Sequence, residues 1–349
     1  MKKVIAMITI YILFSSFLVF FPINSKSDTI VNNRLFVGGV GEGNYSHIQD
    51  AINAASENDI IMVYNGTYNG SIIIDKPLIL MGIHKNGTIL DSYGYGDVIT
   101  VKSDNVSICG FTIKNGQRIS WPEGGFAYLA AGIRINSNNA DIYGNNIFNN
   151  TYGIIVEAGS NNVIHLNKIQ KNGDGVKLSG YDNLIDANNI SNNNQNFSWS
   201  QGESSNNGII LNAANNNTIH TNIISNHHGC GINISILSTN NNIYVNNFLN
   251  NFVNAFDDSN NSWDNGIKGN YWSDYKGIDE TYDEIGDTPY LISGGDNKDN
   301  CPLMKPYEGE YEFIVDEESL YRMLVYGMIA VIVFLLPIAY LWYKKRKKK

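Results

Sequence analysis

Apolar residues in this chain fall in short alternating runs broken by Gly and Asn, without the i, i+3, i+4 spacing of a long helix across residues 60–262. The runs repeat. Gly-Ile-Arg-Ile starts at Gly132, Gly-Ile-Ile-Val at Gly153, Gly-Val-Lys-Leu at Gly175, Gly-Ile-Ile-Leu at Gly208 and Gly-Ile-Asn-Ile at Gly231, at intervals of 21, 22, 33 and 23 residues. A second anchor keeps step at Asn145, Asn167, Asn188, Asn222 and Asn246, at intervals of 22, 21, 34 and 24. Two anchors sharing one period and one insertion define a repeat architecture. Each unit holds two or three short strands and leaves no room for a helix.

Strands this short form no stable sheet alone, whereas coils stacked roughly 4.8 Å apart can pair in parallel with their neighbours. The pattern therefore predicts an all-β fold, a right-handed parallel β-helix. Inward Ile and Val build its core. Asn at the corners tolerates left-handed backbone, and the in-register Asn145, Asn167, Asn188, Asn222 and Asn246 form an amide ladder. Gly110-Phe-Thr-Ile113 aligns with Gly144-Asn-Asn-Ile147, which puts Phe111 in the ladder column. Ahead of the coils, Ile48, Ala51, Ile52 and Ala55 share one helical face, so a short capping helix covers the open apolar end.

Both ends are apolar and flanked by lysines. Val4 to Ile23 follows Lys2 and Lys3 and reads as a signal peptide or an N-terminal anchor. Leu324 to Tyr343 is long enough to span a bilayer as one C-terminal transmembrane helix, and the basic run 344–349 stays cytoplasmic. Residues 28–320 then lie outside the cell, on a single-pass membrane anchor. The expected order is signal or anchor 1–27, N-terminal cap 28–59, β-helix 60–262, C-terminal cap 263–307, stalk 308–323, transmembrane helix 324–343 and basic tail 344–349.

Composition sharpens this picture. The chain has 349 residues and 52 Asn, of which 39 fall between Asn136 and Asn270, where the coils turn. Residues 28–320 hold 14 Lys+Arg against 33 Asp+Glu, a balance of 14 − 33 = −19 that disfavours nucleic acid and suits cations. Eleven Asn-x-Ser/Thr sequons, Asn44 and Asn65 among them, are compatible with a glycoprotein.

Residues 45–113 resemble the N-terminal cap and first coils of pectin-lyase-like β-helix proteins. The repeats, with Gly269-Asn-Tyr-Trp-Ser-Asp-Tyr275 and Gly286-Asp-Thr-Pro-Tyr290, resemble NosD-type proteins over roughly residues 36–307. That resemblance implies an exported, often membrane-anchored archaeal or bacterial protein. It also implies copper supply to nitrous oxide reductase in some members and a bare β-helix in others.

Three places carry candidate chemistry. The insertions 117–131 and 194–207 leave the coil at one corner, three coils apart. They bring Trp121 and Glu123, and Trp199 and Glu203, to either side of Tyr152 and Asp174, a shelf suited to surface polysaccharide or other glycans. His227, His228 and Cys230 form the one soft-metal cluster, for copper, although His227 also falls in the corner column of Asn150, Asn172, Asn193 and Asn251. Asp279, Asp283 and Asp287 suit Ca²⁺, with Thr281 and Glu284 breaking the alternation of a calcium loop. A further row of His165, Asp186 and His220, flanked by Tyr143 and Tyr244, reads as a solvated face. No paired carboxylates stand out, so no catalytic residue is assigned and binding or scaffolding is favoured over a polysaccharide lyase or glycoside hydrolase. A copper-handling accessory is the remaining alternative.

Overall fold

The computed structural model describes residues 33–117, 129–194 and 205–308. Within them the chain winds as a parallel β-helix with three faces. Face A has nine strands, from Arg34–Val37 to Asn242–Tyr244, and face B has nine, from Gly66–Asn69 to Tyr271–Trp272. Face C has eight, from Ile72–Ile74 to Val253–Asp257, and every pairing within the three faces is parallel. The chain visits A, B and C in turn; one coil runs Asp141–Tyr143, Asn146–Phe148 and Tyr152–Val156 before returning to A at Val163–His165.

Register explains the core. On face A, Ile108, Ile142, Ile164, Ile185, Ile219 and Ile243 pair in one inward column, each fully buried. Burying each such side chain contributes about 1.5–3 kcal/mol, against about 3–6 kcal/mol of backbone entropy for a three-residue strand, so the stacked hydrogen bonds must supply the rest.

Each corner uses two neighbouring residues for two jobs. The first takes a left-handed backbone, as at Asn149, Lys171 and Asn192, with φ of 57°, 54° and 53°. The second is a buried Asn bonded to the next coil. In the expected ladder, the Asn167 backbone N–H and Nδ2 both donate to Asn188 Oδ1, at 3.0 and 3.1 Å, and the same pair of bonds links each rung from Asn145 to Asn270. Phe111 lies in that column, its N–H donating to Asn145 Oδ1. The other two corners carry ladders as well: Asn150, Asn172 and Asn193, and Asn162, Asn183, Asn217, Asn241 and Asn261.

The repeated Gly answers to close approach. A Cβ on Gly153 would lie 2.6 Å from the Gly175 carbonyl oxygen and 2.6 Å from Ile169 Cγ2. The helix Ile48–Ala54 buries Ile48, Ala51 and Ile52 against the first coils. At the other end Trp272 stacks between Phe248 and Tyr290, with ring centroids 4.3 and 4.1 Å away. Asp299 accepts from Asn270 N–H, Trp272 Nε1 and Cys301 N–H there. The segments 1–27 and 324–343 lie outside the described residues. Among the described residues no helix is long and apolar enough to cross a membrane.

Candidate functional site

Both insertions leave between faces B and C. The first follows Thr112–Lys114 and precedes Ala131–Ile135; the second follows Asn189–Ser191 and precedes Ile209–Asn215. Trp121, Glu123, Trp199 and Glu203 lie outside the described residues. A carboxylate receives the chain where each insertion ends. Asp97 Oδ1 accepts the Ala131 N–H at 2.7 Å, and Asp174 Oδ1 accepts the Asn207 N–H at 2.7 Å and Ser205 Oγ at 3.0 Å. Asp174 is fully buried, and burial pushes its carboxyl up to about 6. Tyr152 is buried too, packed with Ala131 and Ile155. Both residues therefore sit within the corner, and neither offers an open shelf.

Where the face C strands Ala131–Ile135 and Tyr152–Val156 end, Arg134, Asn136, Glu157 and Ala158 line a solvent-facing recess of about 410 Å³. Arg134 is buried and fully engaged: its Nε donates to Asp97 Oδ2 at 2.8 Å, and its terminal nitrogens donate to Glu157 and the Leu129 carbonyl. Upstream of Asp97, the turn Ser92–Gly96 presents Tyr93 and Tyr95, 62% and 74% exposed. Its backbone is clamped: Tyr93 N–H donates to Asp91 Oδ1, Gly94 N–H to the Asn115 carbonyl and Gly96 N–H to that of Gln117. Tyr93 is held at φ 54°, a costly conformation for an aromatic residue. The sequence reading missed both tyrosines and the Arg134–Asp97 pair.

Face A carries a second feature. One outward row runs, in register, Phe36, Met62, Met81, Cys109, Tyr143, His165, Asp186, His220 and Tyr244. His165 Nε2 lies 3.0 Å from Asp141 Oδ1, with its ring 5.2 Å from that of Tyr143. His220 Nδ1 lies 3.1 Å from Asp186 Oδ1, with its ring stacked 5.3 Å from Tyr244. The His165–Asp186–His220 part was visible in the sequence, but Met62, Met81 and Cys109 were not joined to it. The signal was present: each row residue directly follows an inward aliphatic residue, as in Ile61-Met62, Leu80-Met81, Ile108-Cys109 and Ile164-His165.

His227 is a rung of the second ladder. Its Nδ1 accepts the Asn193 N–H at 3.3 Å and its Nε2 donates to the Ile190 carbonyl at 3.1 Å, so both ring nitrogens are engaged. Burial lowers its pKa to about 4 and keeps it neutral. His228 is exposed, and Cys230 is half-buried with its thiol pushed up by burial. Asp279, Asp283 and Asp287 turn back onto their own loop: Asp279 accepts from Asp283 and Glu284 N–H, Asp283 from Ile285 N–H and Asp287 from Glu280 N–H. Among the described residues no three His, Cys, Asp or Glu side chains converge as a metal ion requires.

No curated protein matches the sequence. A pectin methylesterase solved in complex with a hexasaccharide is 13% identical, with a TM-score of 0.42 over 63% of this chain and 80% of that one. The pectin methylesterase of Erwinia chrysanthemi is 13% identical, with a TM-score of 0.40 over 64% and 81%. An alginate lyase of a Paenibacillus species is 15% identical, with a TM-score of 0.41 over 69% and 98%. The family model described as periplasmic copper-binding protein (NosD) matches residues 52–277. The match spans more than half of the chain and takes in the coils from Ile60 onward and the Asn270–Tyr275 motif, so the protein belongs to the NosD family.

Proposed function

We propose that this NosD-family protein is a binding scaffold on the outer face of a membrane, tethered by residues 324–343, and that its ligand is a glycan taken on face C. The observation that carries the reading is the recess at Arg134, Asn136, Glu157 and Ala158 on face C, linked through the Arg134–Asp97 pair to the turn that presents Tyr93 and Tyr95. Aromatic rings give contact area at little entropic cost, and a recess lined by Asn136 and Glu157 adds hydrogen-bonding groups for hydroxyls. The −19 balance of residues 28–320 favours neutral or amino sugars over acidic ones. The test is a glycan array probed with the full chain and with Tyr95→Ala and Glu157→Gln variants. Both substitutions should weaken the strongest signal about tenfold, or roughly 1.4 kcal/mol. An unchanged array profile in both variants would sink the idea.

A second reading, handling of a soft metal ion, is favoured by the outward row on face A. The family description names copper, and thiol and thioether side chains are the donors that suit its monovalent state. Met62, Met81 and Cys109 supply that donor set on successive coils.

A further inference from the structure

We infer that Met81 and Cys109 hold one monovalent copper ion in line along the solenoid axis, with Met62 as a third donor. The inference rests on the soft-metal reading above and is independent of the glycan reading. Three observations converge on it. Met62 pairs with Met81 and Met81 with Cys109, so three sulfur side chains occupy consecutive rungs of one outward row. Their alternate neighbours Ile61, Leu80 and Ile108 are fully buried in the core, which fixes the sulfur side chains on the outer face. Both methionines are partly buried and Cys109 is 6% exposed, so the sulfurs are sheltered without being sealed.

Spacing selects the ion. Stacked coils lie about 4.8 Å apart, and two sulfurs each about 2.3 Å from a metal are separated by about 4.6 Å when they face each other across it. A row of donors on neighbouring strands therefore suits two short bonds in line, with room for one longer third contact. It cannot close a tetrahedron, which zinc requires, and it offers no square of nitrogen and oxygen ligands for divalent copper. Surroundings agree with a soft ion, because Ile60 and Ile79 flank the methionines in the adjacent outward column. Cys109 is a free thiol, and the next rung, Tyr143, hydrogen-bonds to it. Met62 lies two rungs from Cys109, so only its flexible stem brings its sulfur to the same ion, and its contribution is the smallest of the three.

The experiment titrates the purified full chain with Cu(I) under anaerobic conditions against a chromophoric Cu(I) chelator. The chain carries ¹³C-methyl methionine, so that the Met62 and Met81 signals are read alongside. One Cu(I) per chain is expected, with shifts confined to those two methyl groups. Cys109→Ser should weaken binding roughly 100-fold, Met81→Leu about tenfold and Met62→Leu less, while Cys230→Ser and Cys301→Ser leave it unchanged. Leucine conserves the volume of methionine, and a parent-like circular dichroism spectrum and unfolding midpoint certify each variant's fold. Parent-like affinity in both Cys109→Ser and Met81→Leu overturns the site. Loss in Cys230→Ser overturns it too, while leaving the soft-metal reading in place. A parent chain that fails to compete with the chelator ends both.

Discussion

Adjacent asparagines offer a sharp test of the ladder. Asn188 is 1% exposed, whereas Asn189 next to it faces solvent. Asn188 Oδ1 accepts the Asn167 N–H at 3.0 Å, and Asn188 Nδ2 donates to the carbonyl of Ile164 at 2.7 Å and to Asn222 Oδ1 at 3.0 Å. In Asn188→Ala, the Asn167 amide nitrogen of the side chain keeps the Ile142 carbonyl and Asn222 Oδ1 keeps the Asn188 N–H. The Asn167 backbone N–H keeps nothing. Leaving one buried N–H unpaired costs about 1–3 kcal/mol, and the void left by the lost amide adds about 1 kcal/mol. Asn188→Ala should therefore destabilise the fold by about 2–4 kcal/mol, and Asn189→Ala by no more than about 0.5 kcal/mol. Guanidinium unfolding followed by far-ultraviolet circular dichroism measures both, and hydrogen exchange at the Asn167 amide locates the damage. Equal costs for the two substitutions would refute the reasoning. So would a large cost that left exchange at Asn167 as slow as in the parent.

Two further predictions concern titration. The Asp174 carboxyl is raised by burial from 3.8 to about 6, so its contribution is fully present below pH 4 and is lost, by about 3 kcal/mol, as pH rises to about 6. Asp174→Asn should remove that loss and stabilise the protein at pH 7.5, read from unfolding midpoints; a variant no more stable than the parent there contradicts it. His227 is lowered by burial from 6.5 to about 4, so its contribution is present above pH 6.5 and lost, by about 3 kcal/mol, as pH falls to about 4. His227→Asn should flatten that acid limb, and an unaltered limb in the same unfolding series counts against the buried neutral imidazole.

Much of the fold was legible because the core and the corners are periodic. Gly153 and Gly175 mark the coil because only a residue without a Cβ passes the neighbouring backbone, and the inward Ile column repeats at every turn. The excess of asparagine was read as one residue doing two jobs, whereas the corners divide them, as in Asn192 with its left-handed backbone and Asn193 in the ladder. The ladder through Asn162, Asn183 and Asn217 escaped notice because neither sequence anchor passes through it. Contacts across an insertion were the least readable: Arg134 meets Asp97 at a separation of 37 residues, a distance that matches no coil period. Tyr152 and Asp174 were placed at the right corner but on the wrong side of its surface. Their position in the row was visible, and the packing over it was not.

The ladders also give the solenoid a direction. From Asn145 to Asn270 every amide nitrogen that bonds within the ladder donates to the oxygen of the following coil, and the other two ladders run the same way. The leading end presents oxygens, and an ordinary backbone N–H satisfies them, as Phe111, Gly116 and Ala140 do. The trailing end presents N–H groups and needs an acceptor side chain, which Asp299 supplies for Asn270. Aligned amide dipoles sum, as they do in a helix, and place partial positive charge where that carboxylate sits. A solenoid of this kind can therefore begin at almost any coil, but it can end only where the sequence provides an acceptor side chain to receive the last donors.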